Sequence, residues 1–374
     1  NDVIINEMNI NNTVYLKELS LFQFKNHSER NFQFNEKINC FVGNNGVGKT
    51  NVLDSIHYLS LSKSYFNHID SNNIQFEQDF FMIKGLFCNN EDIDEIICNY
   101  SLSKGKILKK NKKKYSRFSD HIGSYPIIII SPTDSNLITE GSDIRRKYLD
   151  SSISQFHPTY LKNLINYNKI LKQRNSLLKQ FSERNYFDPI SLENFNNNLV
   201  IYGNEIYKLR KEFLTQLTPV FNKYYSEISS NNESVSLEYK SQLNDDSFSN
   251  LLKNGLEKDK FSFNTGCGIH KDDIIFKMNN YSVKKTGSQG QQKSFLISLK
   301  LAQFDFITDK IGFKPILLLD DIFDKLDDNR VEKLISFTSK ETFSQIFITD
   351  THENRSREIL EKTGIDFKIF NISN

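Results

Sequence analysis

The sequence predicts an α/β protein: a head of mixed strands and helices, interrupted by a mainly α-helical arm. Three observations predict it. Strand-like patterns occupy both ends of the chain. The stretch from Asn136 to about Val220 holds hardly a glycine and reads with helical periodicity. One glycine-rich segment sits between a short apolar strand and a helix.

The elements follow in order. Residues 14–26 alternate apolar and polar side chains, with Leu16, Leu19, Leu21, Phe22 and Phe24 marking one or two strands. Residues 38–42 form a second run closed by glycine, and Val52, Ile56 and Leu59 repeat at helical spacing over 51–61. Strand signals return at 80–88, 93–102 and 127–130. In the middle, Leu164, Tyr167, Leu171, Leu178 and Phe181 form a helical stripe that Arg174 interrupts. Leu192, Leu199, Ile206, Phe213 and Leu217 belong to a second stripe. These predict two helices packed together, with Asp188-Pro189 near the turn and neither stripe long enough for an extended coiled coil. Strands are expected at 234–239, 273–277, 315–319 and 345–348, and helices at 289–308, 329–340 and 355–362. The division is a flexible extension over 1–13, a head built from 14–135 and 255–374, and an arm over 136–254.

Composition bounds the partners. Hydrophobic residues make up only 38%, but 31 Phe and 16 Tyr supply bulky core material, so the chain is not disordered. Lys and Arg (48) nearly balance Asp and Glu (46), so any nucleic-acid surface has to be local. Four dispersed cysteines without a C-x-x-C pair exclude the familiar zinc and redox spacings and fit a reducing cytoplasm. No apolar run approaches the roughly 18 residues of a membrane helix.

Gly43-Asn44-Asn45-Gly46-Val47-Gly48-Lys49-Thr50 matches G-x-x-x-x-G-K-[ST] between a predicted strand and a predicted helix. Glycines in that context turn backbone N–H groups onto phosphate oxygens, and Asn51 continues into a helix whose N-terminus adds partial positive charge. Lys49 is placed to reach the β- and γ-phosphates of ATP and the Thr50 hydroxyl to ligate Mg²⁺. The required carboxylate comes from Ile316-Leu317-Leu318-Leu319-Asp320-Asp321, an apolar strand ending in two acids. Asp320 is the metal candidate; Asp321 is placed to orient or deprotonate the attacking water.

Several further stretches, in order, carry a family likeness: Ser131-Pro132-Thr133-Asp134, Arg145-Arg146-Lys147-Tyr148-Leu149-Asp150, Gly268-Ile269-His270-Lys271-Asp272-Asp273, Ser288-Gln289-Gly290-Gln291-Gln292, and Leu317 through Asp327 to Arg330. With the phosphate loop, they make the chain resemble the ABC-type ATPases that act on DNA and, within them, the RecF family of bacterial recombination-repair proteins. The resemblance implies an ABC-type P-loop ATPase head with mixed sheets and a short helical arm. It also implies a homodimer formed on ATP binding, with each nucleotide held between one phosphate loop and the partner's Ser288, Gln289, Gly290 and Gln291. Ser288 is a natural N-cap for such a helix. The resemblance further implies an inter-subunit role for Asp327, contact of Thr133 or Asp134 with Mg²⁺ or the lytic water, DNA as substrate surface, and RecR and RecO as partners at gapped DNA in the cytoplasm, near the nucleoid.

Asp321 stands where most ABC enzymes carry Glu; one methylene shorter, it implies slow hydrolysis and a timing switch. Between Lys104 and Arg117 lie eight basic residues and no acid, including Lys109, Lys110, Lys112, Lys113 and Lys114. They either guard the exposed edge of a hairpin or track DNA phosphates. Arg145 and Arg146 either sense nucleotide or DNA phosphate or serve as structural ion-pair partners. Three other functions compete, of which the ATPase subunit of a transporter is disfavoured because the signature and the insertion do not match. A structural chromosome ATPase of the SMC kind needs hundreds of coiled-coil residues between the two nucleotide motifs, where this chain has about 270 residues, much of it strand. An ATP-dependent nuclease needs a second acidic cluster, which the sequence does not display.

Overall fold

The computed structural model describes residues 14–90, 92–229, 233–322 and 345–373. The extension expected over 1–13, the helix expected over 329–340, and Asp327 lie outside the described residues. In chain order the first elements are β1 (Val14–Phe24), β2 (His27–Gln33), β3 (Ile38–Val42), α1 (Lys49–Leu61), β4 (Phe80–Asn89), β5 (Asp92–Ser101), β6 (Gly105–Lys110), β7 (Lys113–Lys114) and β8 (Ile127–Ile130). Then come α2 (Asn136–Thr139), α3 (Ser142–Ser154), α4 (Pro158–Arg184), α5 (Pro189–Ile228), β9 (Val235–Lys240), α6 (Phe248–Asn254) and α7 (Leu256–Ser262). The rest are β10 (Asp273–Met278), β11 (Tyr281–Ser282), α8 (Val283–Thr286), α9 (Gln289–Ile311), β12 (Ile316–Leu319), β13 (Ile346–Asp350), α10 (Glu353–Glu361) and β14 (Phe367–Asn371).

The chain divides into two compact units: residues up to 134 with those from 293 onward, and residues 135–292. The first unit holds two sheets. One is antiparallel, in the order β2-β1-β4-β5-β6-β7; the other is parallel throughout, in the order β14-β3-β13-β12-β8. β3, β8, β12 and β13 are buried along their whole length, which is why β8 and β12 are apolar throughout and β3 and β13 mostly so. β1 alternates burial instead, because one face packs on the core. Between the sheets and α1 lies one hydrophobic core that includes Leu19, Phe24, Leu53, Ile56, Phe81, Ile129 and Leu318. Phe34 meets Phe347 at 4.8 Å and Phe41 meets Phe370 at 5.4 Å, so the aromatic-rich composition is spent on ring packing.

The second unit is built on the antiparallel pair α4 and α5. Asp188 caps α5 by accepting from the Ile190 and Ser191 amides, with Pro189 in the first turn, as the turn signal implied. Arg174 interrupts the apolar stripe of α4 because its partners arrive from elsewhere. Fully buried, it donates to Asp259 (2.8 Å), Thr265 (2.8 Å) and Asn196 (2.7 Å). Arg210 of α5 is equally buried and pairs with Asp150 (2.8 Å) and Asp272 (3.3 Å).

One boundary needs correction. The head was expected to resume at 255, whereas 255–292 belong to the second unit. The reason is pairing: β10 joins β9 over six residue pairs, and Asp259 and Thr265 satisfy Arg174. β2 and β14 were not anticipated: β2 has a single apolar residue, Phe32, among seven, and β14 is a half-buried edge strand of five.

The loop from Gly268 to Asp273 is a scaffold. His270 bonds the Tyr167 hydroxyl (2.8 Å) and the Thr265 carbonyl (2.9 Å), Asp272 lies under Arg210, and Asp273 takes Arg145. Gly268 has φ 115°, and a Cβ there would sit 2.5 Å from the Phe248 ring and 2.6 Å from the Tyr167 hydroxyl. Gly268→Ala is therefore expected to cost about 3 kcal/mol from left-handed strain plus overpacking. It will be read as a lower urea midpoint with an unchanged slope.

Candidate nucleotide site

The phosphate loop leaves the C-terminal end of β3 and enters α1. Gly43, Gly46 and Gly48 all hold positive φ, and Gly48 is the left-handed N-cap of α1. A side chain at Gly48 would strike Asn26 at 2.5 Å, and one at Gly43 would strike the Ile372 carbonyl at 2.3 Å. Glycine is required there because the β1–β2 turn and the C-terminal segment press on the loop. His27 reinforces the contact by donating from Nε2 to the Gly48 carbonyl (3.0 Å); burial lowers its pKa, which keeps the ring neutral. Asn51 donates to Asn26 (2.7 Å). Val47 is buried in the core, while Asn44, Asn45 and Gly46 are exposed, and the Lys49 ammonium donates to the Gly43 (2.7 Å) and Asn44 (2.9 Å) carbonyls.

Asp320 stands at the end of β12, separated from β3 by β13. Thr50 Oγ1 donates to its Oδ1 at 2.7 Å, across 270 residues of sequence. Two hydroxyls that sequence reasoning missed complete its surroundings: Thr349 of β13 donates to Oδ1 (3.0 Å), and Ser131, after β8, donates to Oδ2 (3.2 Å). Thr349 also accepts the amide of Asp321 (2.8 Å), whose backbone turns left-handed at φ 50°. The three strand ends thus present one carboxylate ringed by hydroxyls.

A nucleotide triphosphate with Mg²⁺ fits this set. The donors are hard oxygens suited to Mg²⁺, the loop turns at positive-φ glycines, and one cation, Lys49, lies across it. Thr50 and Asp320 would hold the metal, which when bound would neutralise phosphate charge. Lys49 and the loop amides would bind the phosphates.

Ser288 caps α9 in reciprocal fashion: its hydroxyl accepts the Gln291 amide (3.3 Å), and the Gln291 side chain accepts the Ser288 amide (2.6 Å). Gln291 Nε2 also donates to Glu233. Gln291 is therefore engaged within its own unit, while Ser288 and Gln289 are exposed and Gly290 is half-buried.

Asp134 is not brought to Asp320. It is buried against Lys300 (2.9 Å), with Oδ2 accepting the Ser131 amide (2.9 Å); the residue of that segment that reaches Asp320 is Ser131. Arg145 chelates Asp273 through Nε (2.6 Å) and Nη2 (3.0 Å), and Arg146 donates to Ser142 and to the Asp272 carbonyl. The ion-pair alternative thus describes Arg145, and Arg146 is held in the same unit. Lys113 and Lys114 form β7, the edge of the antiparallel sheet; Lys112 and Arg117 are exposed, Lys109 is half-buried, and Lys110 pairs with Asp94 (2.8 Å).

A parallel sheet with one strand between phosphate loop and acidic strand end, joined to an antiparallel sheet, defines a P-loop ATPase head of the ABC and SMC class. The family model for the RecF/RecN/SMC N-terminal domain matches residues 15–369. The DNA replication and repair protein RecF of Flavobacterium johnsoniae is 49% identical over 359 residues, covering 96% of this chain and 100% of that one. RecF of Bacteroides thetaiotaomicron is 45% identical over 361 residues, 96% of each chain. A solved structure of the recombination mediator RecF with ATP, of the RecFOR pathway, superposes with TM-score 0.85 at 33% identity over 91% of this chain and 93% of that one. The Smc head of Pyrococcus furiosus shares the fold alone, at TM-score 0.55 and 15% identity. The chain belongs to the RecF family.

Proposed function

We propose that this protein is an ATP-switched DNA clamp of recombinational repair. ATP and Mg²⁺ draw two heads together, each nucleotide lying between one protomer's Gly43 to Asn51 and the partner's capped helix start at Ser288, Gln289 and Gly290. The pair closes on DNA at gaps or single-strand/double-strand junctions and helps load recombinase with RecR and RecO. Asp321, as base or water-orienting group, hydrolyses ATP slowly, and hydrolysis times release. The protein works in the cytoplasm at the nucleoid. The observation that carries this reading is the 2.7 Å contact of Thr50 with Asp320 beside Lys49: it brings together two motifs far apart in sequence, as a shared phosphate-and-metal site requires. The likeness to RecF with ATP supports it.

The exposed cations of β7 and its turn, with Arg117, supply a phosphate-tracking ridge for sequence-independent, salt-sensitive contact. Light scattering tests the clamp. The wild type is expected to double in mass with ATP and DNA, and Lys49→Met to remain monomeric in both. A wild-type protein that stays monomeric with ATP on DNA at high concentration overturns the reading.

A further inference from the structure

We propose that Lys300 and Asp134 are positioning residues for the metal-binding carboxylate, acting through Ser131; the inference rests on the nucleotide site above. Lys300 lies in the middle of α9, buried among apolar neighbours, with side-chain exposures of 5% for it and 2% for Asp134. A lysine there carries a large desolvation cost unless every proton on it finds an acceptor. It finds three: Asp134 Oδ1 (2.9 Å), the Ile129 carbonyl (3.0 Å) and the Tyr65 hydroxyl (3.4 Å). Tyr65 in turn donates to Asp134 Oδ1.

The consequence runs to the metal site by named bonds. Asp134 Oδ2 accepts the Ser131 amide (2.9 Å) and the Asp134 amide donates to the Ser131 carbonyl (2.9 Å), which closes a tight turn at the end of β8. That turn aims Ser131 Oγ at Asp320 Oδ2 (3.2 Å), while Thr133 Oγ1 donates to Ser131 Oγ (3.2 Å) and fixes its proton direction. Beside it, the Asp320 amide donates to the Ile130 carbonyl (2.9 Å), so the residue next to the one Lys300 grips holds the backbone of the carboxylate. Asp134 therefore acts at one remove from the metal, and Lys300 is the charge that keeps it in place.

The test is the Mg²⁺-linked gain in affinity for a fluorescent ATP analogue, titrated on the full chain in EDTA and in Mg²⁺. The paired variant Lys300→Met with Asp134→Asn removes both charges and leaves neither stranded. It is expected to bind the analogue in EDTA within twofold of wild type and to lose at least tenfold of the Mg²⁺-linked gain. Ser131→Ala breaks only the last link, leaves the Lys300–Asp134 pair intact, and is expected to lose about threefold of the same gain, an effect absent when added to the paired variant. A wild-type Mg²⁺ gain in Ser131→Ala, or a parallel fall of EDTA and Mg²⁺ affinities in the paired variant, overturns the proposal and leaves the nucleotide site standing. A wild-type protein without any Mg²⁺-linked binding removes the nucleotide site, and the proposal with it.

Discussion

Asp320→Asn is expected to lower steady-state ATP hydrolysis on the order of a thousandfold, about 4 kcal/mol of transition-state stabilisation, while the protein stays folded and still binds ATP in EDTA. The geometry separates the two effects. Thr50, Thr349 and Ser131 all donate to this one carboxylate, at 2.7, 3.0 and 3.2 Å. An asparagine keeps one acceptor oxygen and offers an NH₂ that Ser131, a rotating hydroxyl, can accept. The hydrogen bonds survive with one reversal; the negative charge that would face Mg²⁺ does not. Phosphate release measured beside thermal melting checks it. A variant that hydrolyses within tenfold of wild type would move the metal carboxylate elsewhere, with Asp321 the first place to look.

The nucleotide site was legible in the sequence only where its chemistry is local. Eight consecutive residues specify the phosphate loop because backbone geometry sets it, and β12 announces itself by four apolar residues before Asp320. Ser131 and Thr349 carried no such signal. They reach Asp320 because β12 pairs in parallel with β8 on one side and β13 on the other, and nothing local to either residue records which strands become neighbours. Asp134, which the family resemblance offered beside Thr133 as a candidate, is held instead by a lysine 166 positions later, a partner that nothing local to either residue records. The same holds for the arm. Arg174 looks like an interruption of a helical stripe, and only Asp259, brought in by tertiary packing, explains its burial; Arg210, which gave no signal of its own, is explained the same way by Asp150 and Asp272. β14 was missed because five residues with a Lys and an Asn among them carry no clear period of two; its place is set by parallel pairing with β3 and by the ring contacts of Phe370 with Phe34 and Phe41.

The first unit is expected to lose stability steeply on acidification through pH 6, and two histidines outside the nucleotide site, with His27 beside it, steepen the fall. His57 is buried in α1 and donates from Nδ1 to the Lys63 carbonyl (2.9 Å); burial pushes its pKa down to about 4, against a weaker upward pull from Asp54. His121 is fully buried, donates from Nε2 to the Leu59 carbonyl (2.6 Å) and meets the Tyr115 hydroxyl at Nδ1 (3.3 Å); burial again lowers it to about 4, and Lys110 adds to the fall. Each has a folded pKa below its unfolded value near 6.5. Their full contribution is present above pH 6.5, and is lost as pH falls towards 4, because the unfolded chain takes up protons that the folded unit refuses. Two such groups give a slope of about 3 kcal/mol per pH unit between those limits, a total on the order of several kcal/mol. That is comparable with the whole stability of a typical domain, about 5–15 kcal/mol. Urea midpoints at pH 7.5, 6.5, 5.5 and 5.0 will show little change over the first step and a sharp fall over the rest. His121→Gln keeps an N–H for Leu59 and removes one titration, so it is expected to take away about half of the slope that these two histidines supply. A wild-type profile flat from pH 7 to 5 would mean that both imidazoles titrate as freely when folded as when unfolded, and the buried, neutral rings described here would be ruled out.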